Sequence, residues 1–261
     1  MKSLQRLPAT FYLVFIYGFI LLPVIVLVLF SFQGGRVPVP PFNGPSLNWY
    51  SEIFRDRNLM DALRNSVVVA VVSSFIAVVL AFLAAYALAR FRLPPKDGWR
   101  WLLMAPLSVS YLVIAIGLLI TYNMLGVPKS LFAIIIGHVV INMPLCFSII
   151  YSQMGDNQVT LEKAARDLGA KEWQVLILIS VPLLLPAIFA AFFLSVTLSW
   201  DEFLIAQLVS LFDVTLPVEI WSLLKSGLNP KTNAVGSFVF IVSVAVVLIA
   251  EFLIFGRRKR V

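Results

Sequence analysis

Apolar residues run along this chain in six long blocks, about 9 to 32, 66 to 89, 101 to 121, 131 to 151, 176 to 200 and 234 to 255, separated by shorter polar or turn-rich segments. Each block is close to the roughly 20 residues that an α-helix needs to cross a bilayer. The pattern therefore predicts an all-α membrane protein with six transmembrane helices, residues 1–261 forming a single transmembrane domain. The first block is too long for the core of a signal peptide and has no small-residue cleavage site, so it reads as a retained anchor. Composition agrees with the pattern: 61% of the residues are hydrophobic, 13% are charged, and the mean hydropathy is +0.96. No soluble fold hides that much apolar surface.

One polar connection carries its own helical signal. In the run Leu161-Glu162-Lys163-Ala164-Ala165-Arg166-Asp167-Leu168-Gly169, Leu161, Ala164, Ala165 and Leu168 fall at i, i+3, i+4 and i+7 and make one narrow apolar stripe. Thr160 suits an N-cap and Gly169 a helix end, which predicts a separate rod of about eight residues, roughly 12 Å long. Its two alanines would let a partner's groove approach the backbone closely. By spacing alone the stripe fits a lipid-surface helix equally well.

A second departure from the pattern lies in the apolar run from Val175 to Phe212, whose only charges are the adjacent carboxylates Asp201 and Glu202. At almost forty residues the run is about twice one span. It predicts a helix kinked at Pro182 and Pro186, followed by a re-entrant or scoop-like segment around 203 to 212. A carboxylate placed there costs roughly a few kcal/mol unless it meets water or a cation. Adjacent helical side chains diverge by about 100°, so one of the two, Asp201 by preference, faces any pathway; solvation at the membrane boundary or pairing with another subunit is the alternative.

Charge then sets orientation. With six spans, the termini share a side with the segments around 90 to 100 and 152 to 175, and that side holds thirteen of the twenty Lys and Arg residues, Arg257 to Arg260 among them. The excess places the termini and the 152 to 175 loop in the cytoplasm. The net charge of +7 is accounted for by this bias and by anionic headgroups, without a nucleic acid.

Catalytic chemistry finds no constellation. His138 has Asn142 one turn on and no second metal ligand near it in sequence, so it reads as a buried, hydrogen-bonded histidine. Cys146 is the single cysteine, reads as a small apolar residue, and permits no disulfide within the chain. There is no Gly-x-x-x-x-Gly-Lys-Ser/Thr loop, so the chain is expected to bind no ATP itself. Catalytic and metal sites are both expected to be absent.

Ala164-Ala165, Gly169, Ile179 and Pro182 stand at the spacing of the cytoplasmic signature of binding-protein-dependent ABC importer permeases: Glu-Ala-Ala, three residues, Gly, nine residues, then Ile-x-Leu-Pro. The chain resembles that family. It departs at Lys163, where Glu is usual and Glu162 stands one place earlier, and at Val181, which replaces Leu. Trp49-Tyr50, Phe54, Ala62-Leu63 and Asn65-Ser66 resemble the family's stretch before the second span, where contact with a binding protein is implied, although these aromatics also suit a lipid interface. Leu198-Ser199-Trp200-Asp201-Glu202, Leu216-Pro217, Gly227, Asn229-Pro230 and Asn233-Ala234 are similar to the second permease subunits of putrescine/spermidine importers.

The resemblance implies a type I importer permease fold in the bacterial inner membrane. Residues 161 to 169 would dock as a coupling helix in the ATPase, and ATP-driven alternating access would move a small cationic solute such as a polyamine. Its implied partners are a second permease subunit, two ATPase subunits that hold ATP and Mg, an extracytoplasmic substrate-binding protein and the lipid membrane. Asp201 and Glu202 would line the substrate pathway, and Trp200 or Tyr122 could add cation–π attraction of about 0.5 to 2 kcal/mol to a protonated amine. A stand-alone secondary transporter, or an importer permease for another small solute, is the alternative.

Overall fold

The computed structural model describes residues 6–91, 94–227 and 229–255. Arg257 to Arg260, counted toward the cytoplasmic charge, lie outside the described residues. Helices α1 (Arg6–Ser31), α2 (Asn48–Arg55) and α3 (Arg57–Arg90) are followed by α4 (Lys96–Met104) and α5 (Tyr111–Leu125). Then come α6 (Leu131–Ser152), α7 (Asp156–Asp167), α8 (Glu172–Val175), α9 (Val181–Asp201), α10 (Leu204–Val209), α11 (Leu216–Lys225) and α12 (Pro230–Phe255).

Among the described residues, five helical runs are long and apolar enough to cross a membrane, and a bent pair makes a sixth if it is counted as one span. The bend corrects the third expected span. The pieces Lys96–Ser108 and Tyr111–Leu125 meet at 102°. Pro106 lies in a 3₁₀ turn at Ala105–Ser108, after which Val109 and Ser110 are extended, so the backbone ladder is interrupted there. The fifth expected span carries no break in its helix. Glu172–Asp201 runs as one 30-residue helical stretch through both prolines. Its irregularity lies ahead of them, in a π-helical turn at Leu176–Ser180 that joins α8 to α9. The wider turn makes room for the ring of Pro182, which sits in the first turn of α9.

The contacts divide the chain into two compact units. The first comprises residues up to Met60 together with Glu219–Ser243. Turn formers keep residues 34–45 out of a helix, as the sequence predicts, and the buried Gln33 organises them. Its amide donates to the carbonyls of Val39 and Pro41 at 3.2 and 3.1 Å, and its Oε1 accepts from the Asn43 amide at 2.9 Å. Trp49 donates its indole N–H to the Gln33 carbonyl at 2.7 Å, and the Tyr50 hydroxyl lies 2.8 Å from that of Ser31 and donates to that of Ser237 at 3.2 Å. Trp49 and Tyr50, two of the three aromatics of the expected binding-protein contact, are thus engaged in holding this unit together.

Lys231 closes the same unit on Asp56 at 2.6 Å. That hydrogen bond holds the Asp56 carboxyl below its ordinary range, against the opposing effect of partial burial. A depressed carboxylate stabilises the fold above the unfolded pKa and loses its contribution as pH falls through the folded value. Both side chains are partly exposed, so Asp56→Asn is expected to cost no more than about 1 kcal/mol at neutral pH. The difference in melting temperature from the wild type should shrink on acidification to about pH 3. A deficit that persists undiminished there would show that the ion pair is not its source.

The second unit comprises Asp61–Val218 and the end of α12. Ala77, Ala81 and Ala85 of α3 recur every fourth residue and share one buried cluster with Cys146, Phe147 and Ile150 of α6 and Leu184 and Ala191 of α9. Small residues at that spacing allow close helix approach inside a membrane, where packing replaces the hydrophobic drive. A second cluster joins Tyr122 of α5, Ile134 and Ile141 of α6, and Ile205, Ala206 and Val209 of α10. Here a Cβ at Gly137 would lie 2.5 Å from a methyl of Ile205, so α6 needs glycine where α10 crosses it. Ser66 and Asn65 of α3 hold the segment before α11, accepting from the Leu216 amide at 2.7 Å and donating to the Val214 carbonyl at 3.1 Å.

Candidate functional site

The candidate functional residues fall in two places, both within the second unit. The first is α7. It begins at Asp156 with Gly155 at the cap, so Thr160 lies inside the helix and does not cap it. The start is one turn earlier than the stripe indicated, because Asp156, Asn157 and Gln158 extend the backbone ladder without adding to the apolar face. The expected end holds. Gly169 takes φ +89°, and the amides of Gly169 and Ala170 donate back to the carbonyls of Arg166 and Ala165 at 2.9 and 3.0 Å. Such a reversal satisfies the last carbonyls and favours glycine.

Leu161, Lys163, Ala164, Asp167 and Leu168 are exposed and Ala165 and Arg166 half-buried, Leu168 being 90% accessible. The apolar stripe therefore finds no cover within its own unit. Glu162 is placed differently from the rest of the expected ATPase-coupling set. It is 1% accessible and turned inward. Its carboxylate accepts from Arg90 Nε at 2.6 Å, from Arg90 Nη2 at 3.1 Å and from the Ser180 hydroxyl at 2.9 Å. One turn on, Arg166 donates to Glu172 at 2.7 and 3.0 Å and to the Tyr86 hydroxyl at 3.3 Å. Sequence reasoning missed Arg90, Ser180, Tyr86 and Glu172. The four-residue spacing of Tyr86 and Arg90, matched by that of Glu162 and Arg166, is the signal that was present.

The second place is the end of α9, where the helix stops at the acidic pair. Asp201 is exposed and, among the described residues, has no hydrogen-bond or ion-pair partner. Glu202 faces the interior, 5% accessible, and is not free to line a pathway as expected. Its two oxygens accept from the Ile205 amide at 3.0 Å, and Oε2 also accepts from the Ala206 amide at 3.3 Å. These are the otherwise unpaired donors that open α10. Oε2 also lies 3.3 Å from Nε2 of His138, in a contact whose angles fall short of a hydrogen bond. On the other side of the same ring, Nδ1 pairs with the Ser199 hydroxyl at 2.6 Å, and Ser199 lies 3.2 Å from the hydroxyl of Ser73. His138 is fully buried and hydrogen-bonded, as the sequence indicated. Trp200 is buried and its indole N–H has no partner among the described residues, while the Tyr122 phenol donates to the Ala133 carbonyl at 3.0 Å. The structure thus leaves Asp201 as the open charge at this break and engages Glu202 and Tyr122 in the fold.

Residues 77–259 match the family described as the binding-protein-dependent transport system inner membrane component. The chain belongs to this family. It is 29% identical over 246 residues to the spermidine/putrescine transport system permease protein PotC of Escherichia coli (strain K12), covering 94% of this chain and 92% of the relative. It is 30% identical over 231 residues to the putrescine transport system permease protein PotI of the same organism, covering 85% and 82%. In structure it matches a chain of a bacterial alginate ABC transporter, solved in complex with its alginate pentasaccharide-bound periplasmic protein, at a TM-score of 0.70 and 16% identity, covering 99% and 97%. At that identity the match establishes the fold alone, the type I importer permease fold. As a member of this family, the chain is a multi-pass inner-membrane permease subunit of an ABC importer. Its partners by type are a binding protein and a separate ATPase subunit that carries the catalysis. A stand-alone secondary transporter is thereby set aside.

Proposed function

We propose that this permease moves a small protonated amine, a polyamine such as putrescine or spermidine, with Asp201 as the carboxylate that meets it. The observation that carries the reading is the unpartnered Asp201 at the break of an otherwise apolar helix. A carboxylate at the end of an apolar span needs water or a cation, and a protonated amine supplies charge-assisted hydrogen bonds. The permease names of the relatives at about 30% identity point to the same substrate class.

In this reading the chain pairs with a second permease subunit and with two ATPase subunits holding ATP and Mg, one of which receives α7 at Leu161, Ala164, Ala165 and Leu168. ATP-driven closure of the ATPase pair displaces α7, and rigid helices pass the motion to the break at Asp201, alternating the access of the substrate site. Asp201→Asn keeps the size and much of the hydrogen bonding of the side chain while removing its charge. Polyamine uptake by proteoliposomes holding the complete complex should fall by at least tenfold, with assembly and ATPase association unchanged. Wild-type uptake by this variant sinks the site. Failure of the intact wild-type complex to move any amine sinks the substrate class.

A further inference from the structure

We infer that Arg90, Glu162 and Ser180 form a rigid joint through which α7 drives α3 and α9 together, and that Glu162 is a positioning residue for transport with no part in binding the ATPase. The inference rests on the reading of α7 as the docking helix. The joint has the geometry of a fixed link. One carboxylate takes three donors from two other helical segments, at 2.6, 3.1 and 2.9 Å, and the side chains of Glu162 and Arg90 are 1% and 8% accessible. A guanidinium fork holding a carboxylate in two bonds resists rotation as well as separation. Gln158, one turn earlier on α7, accepts a further bond from Arg90 at 3.3 Å, and Arg166, one turn later, reaches Tyr86. The contact between α7 and the end of α3 therefore has three successive rungs, at Gln158, Glu162 and Arg166, which set its register as well as its distance. Ser180 belongs to the π-helical turn that precedes α9. Displacement of Glu162 therefore pulls on the end of α3 and on the start of α9 at once.

The exposed stripe and the buried acid lie on different faces of α7, so docking and transmission are separable by mutation. Glu162→Gln preserves the shape and one acceptor oxygen but removes the charge that holds the fork. In the full complex with partner permease, ATPase and binding protein, the ATPase should still co-purify while transport per ATP hydrolysed falls at least tenfold. Arg90→Gln should do the same. The exchange Arg90→Glu with Glu162→Arg should recover a substantial part of the ratio, which a loss of general stability would not allow. Ser180→Ala removes one donor and leaves the ion pair, and should lower the ratio by a smaller factor, about two- to fivefold.

A wild-type coupling ratio in Glu162→Gln overturns the inference. So does failure of Glu162→Gln to assemble at all, because the joint would then be a requirement of folding. Loss of the ATPase from an assembled Glu162→Gln complex overturns it too, since Glu162 would then serve docking. If the docking reading itself is wrong, Ala164→Trp leaves the ATPase bound. If Ala164→Trp releases the ATPase while Glu162→Gln keeps its ratio, only the joint is wrong.

Discussion

Ala164→Trp should release the ATPase from the complex while leaving the permease inserted and folded. Ala164 stands in the exposed stripe between Leu161 and Leu168, whereas the residues that attach α7 to its own chain, Glu162 and Arg166, leave that stripe by other faces. The added indole therefore meets only what docks there. Overfilling a packed contact costs about 1 to 3 kcal/mol and occasionally more, which corresponds to a loss of affinity of roughly 5- to 150-fold. Co-purification of the ATPase with the detergent-solubilised permease, together with uptake in proteoliposomes, measures the effect. Full transport with the ATPase still bound would place the docking surface elsewhere.

Glu202→Ala should have the larger effect on the fold itself. The substitution leaves the Ile205 and Ala206 amides without an acceptor and removes the carboxylate that faces Nε2 of His138. Each buried donor deprived of its partner costs about 1 to 3 kcal/mol, and within a membrane no water is at hand to replace the lost acceptor. Yield and melting temperature of the detergent-purified protein should therefore drop sharply. Glu202→Gln retains one carbonyl oxygen for the start of α10 and should fall between Glu202→Ala and the wild type. Asp201→Asn, one residue away, should melt like the wild type. If Glu202→Ala and Asp201→Asn melt alike, the division of labour within the acidic pair is wrong.

That division shows where sequence reasoning stopped. Two adjacent carboxylates in an apolar run indicate that at most one faces a given direction, and the structure leaves Asp201 exposed and Glu202 buried. The residue that faces Glu202 from another helix was out of reach. His138, whose Nε2 lies 3.3 Å from the Glu202 carboxylate, is 64 positions away in sequence, and no periodicity along one helix reports which residues of another helix lie opposite. The same limit applies to Glu162, whose partners Arg90 and Ser180 lie in two other segments. At α7 the apolar stripe and Gly169 marked the exposed face and the end of the helix, because both are local. Its start was misplaced because backbone bonding extends beyond the apolar face through Asp156, Asn157 and Gln158, which leave no mark in a hydrophobic pattern.

The sequence by itself determined what a bilayer imposes residue by residue: helical spans of about 20 apolar positions, polar connections between them, the family through the spacing of Ala164-Ala165, Gly169, Ile179 and Pro182, and an acidic pair whose desolvation demands a partner. Tertiary structure alone decided how the third block bends at Ser108 to Ser110, how a π-helical turn carries the fifth span past Pro182, and which carboxylates stay free. The physical reason is common to all three. Burial in lipid depends on the summed hydrophobicity of a segment and can be read along the chain, whereas the pairing of polar groups depends on distances of about 3 Å between segments far apart in sequence. Those distances exist only once α3, α6, α7, α9 and α10 have packed.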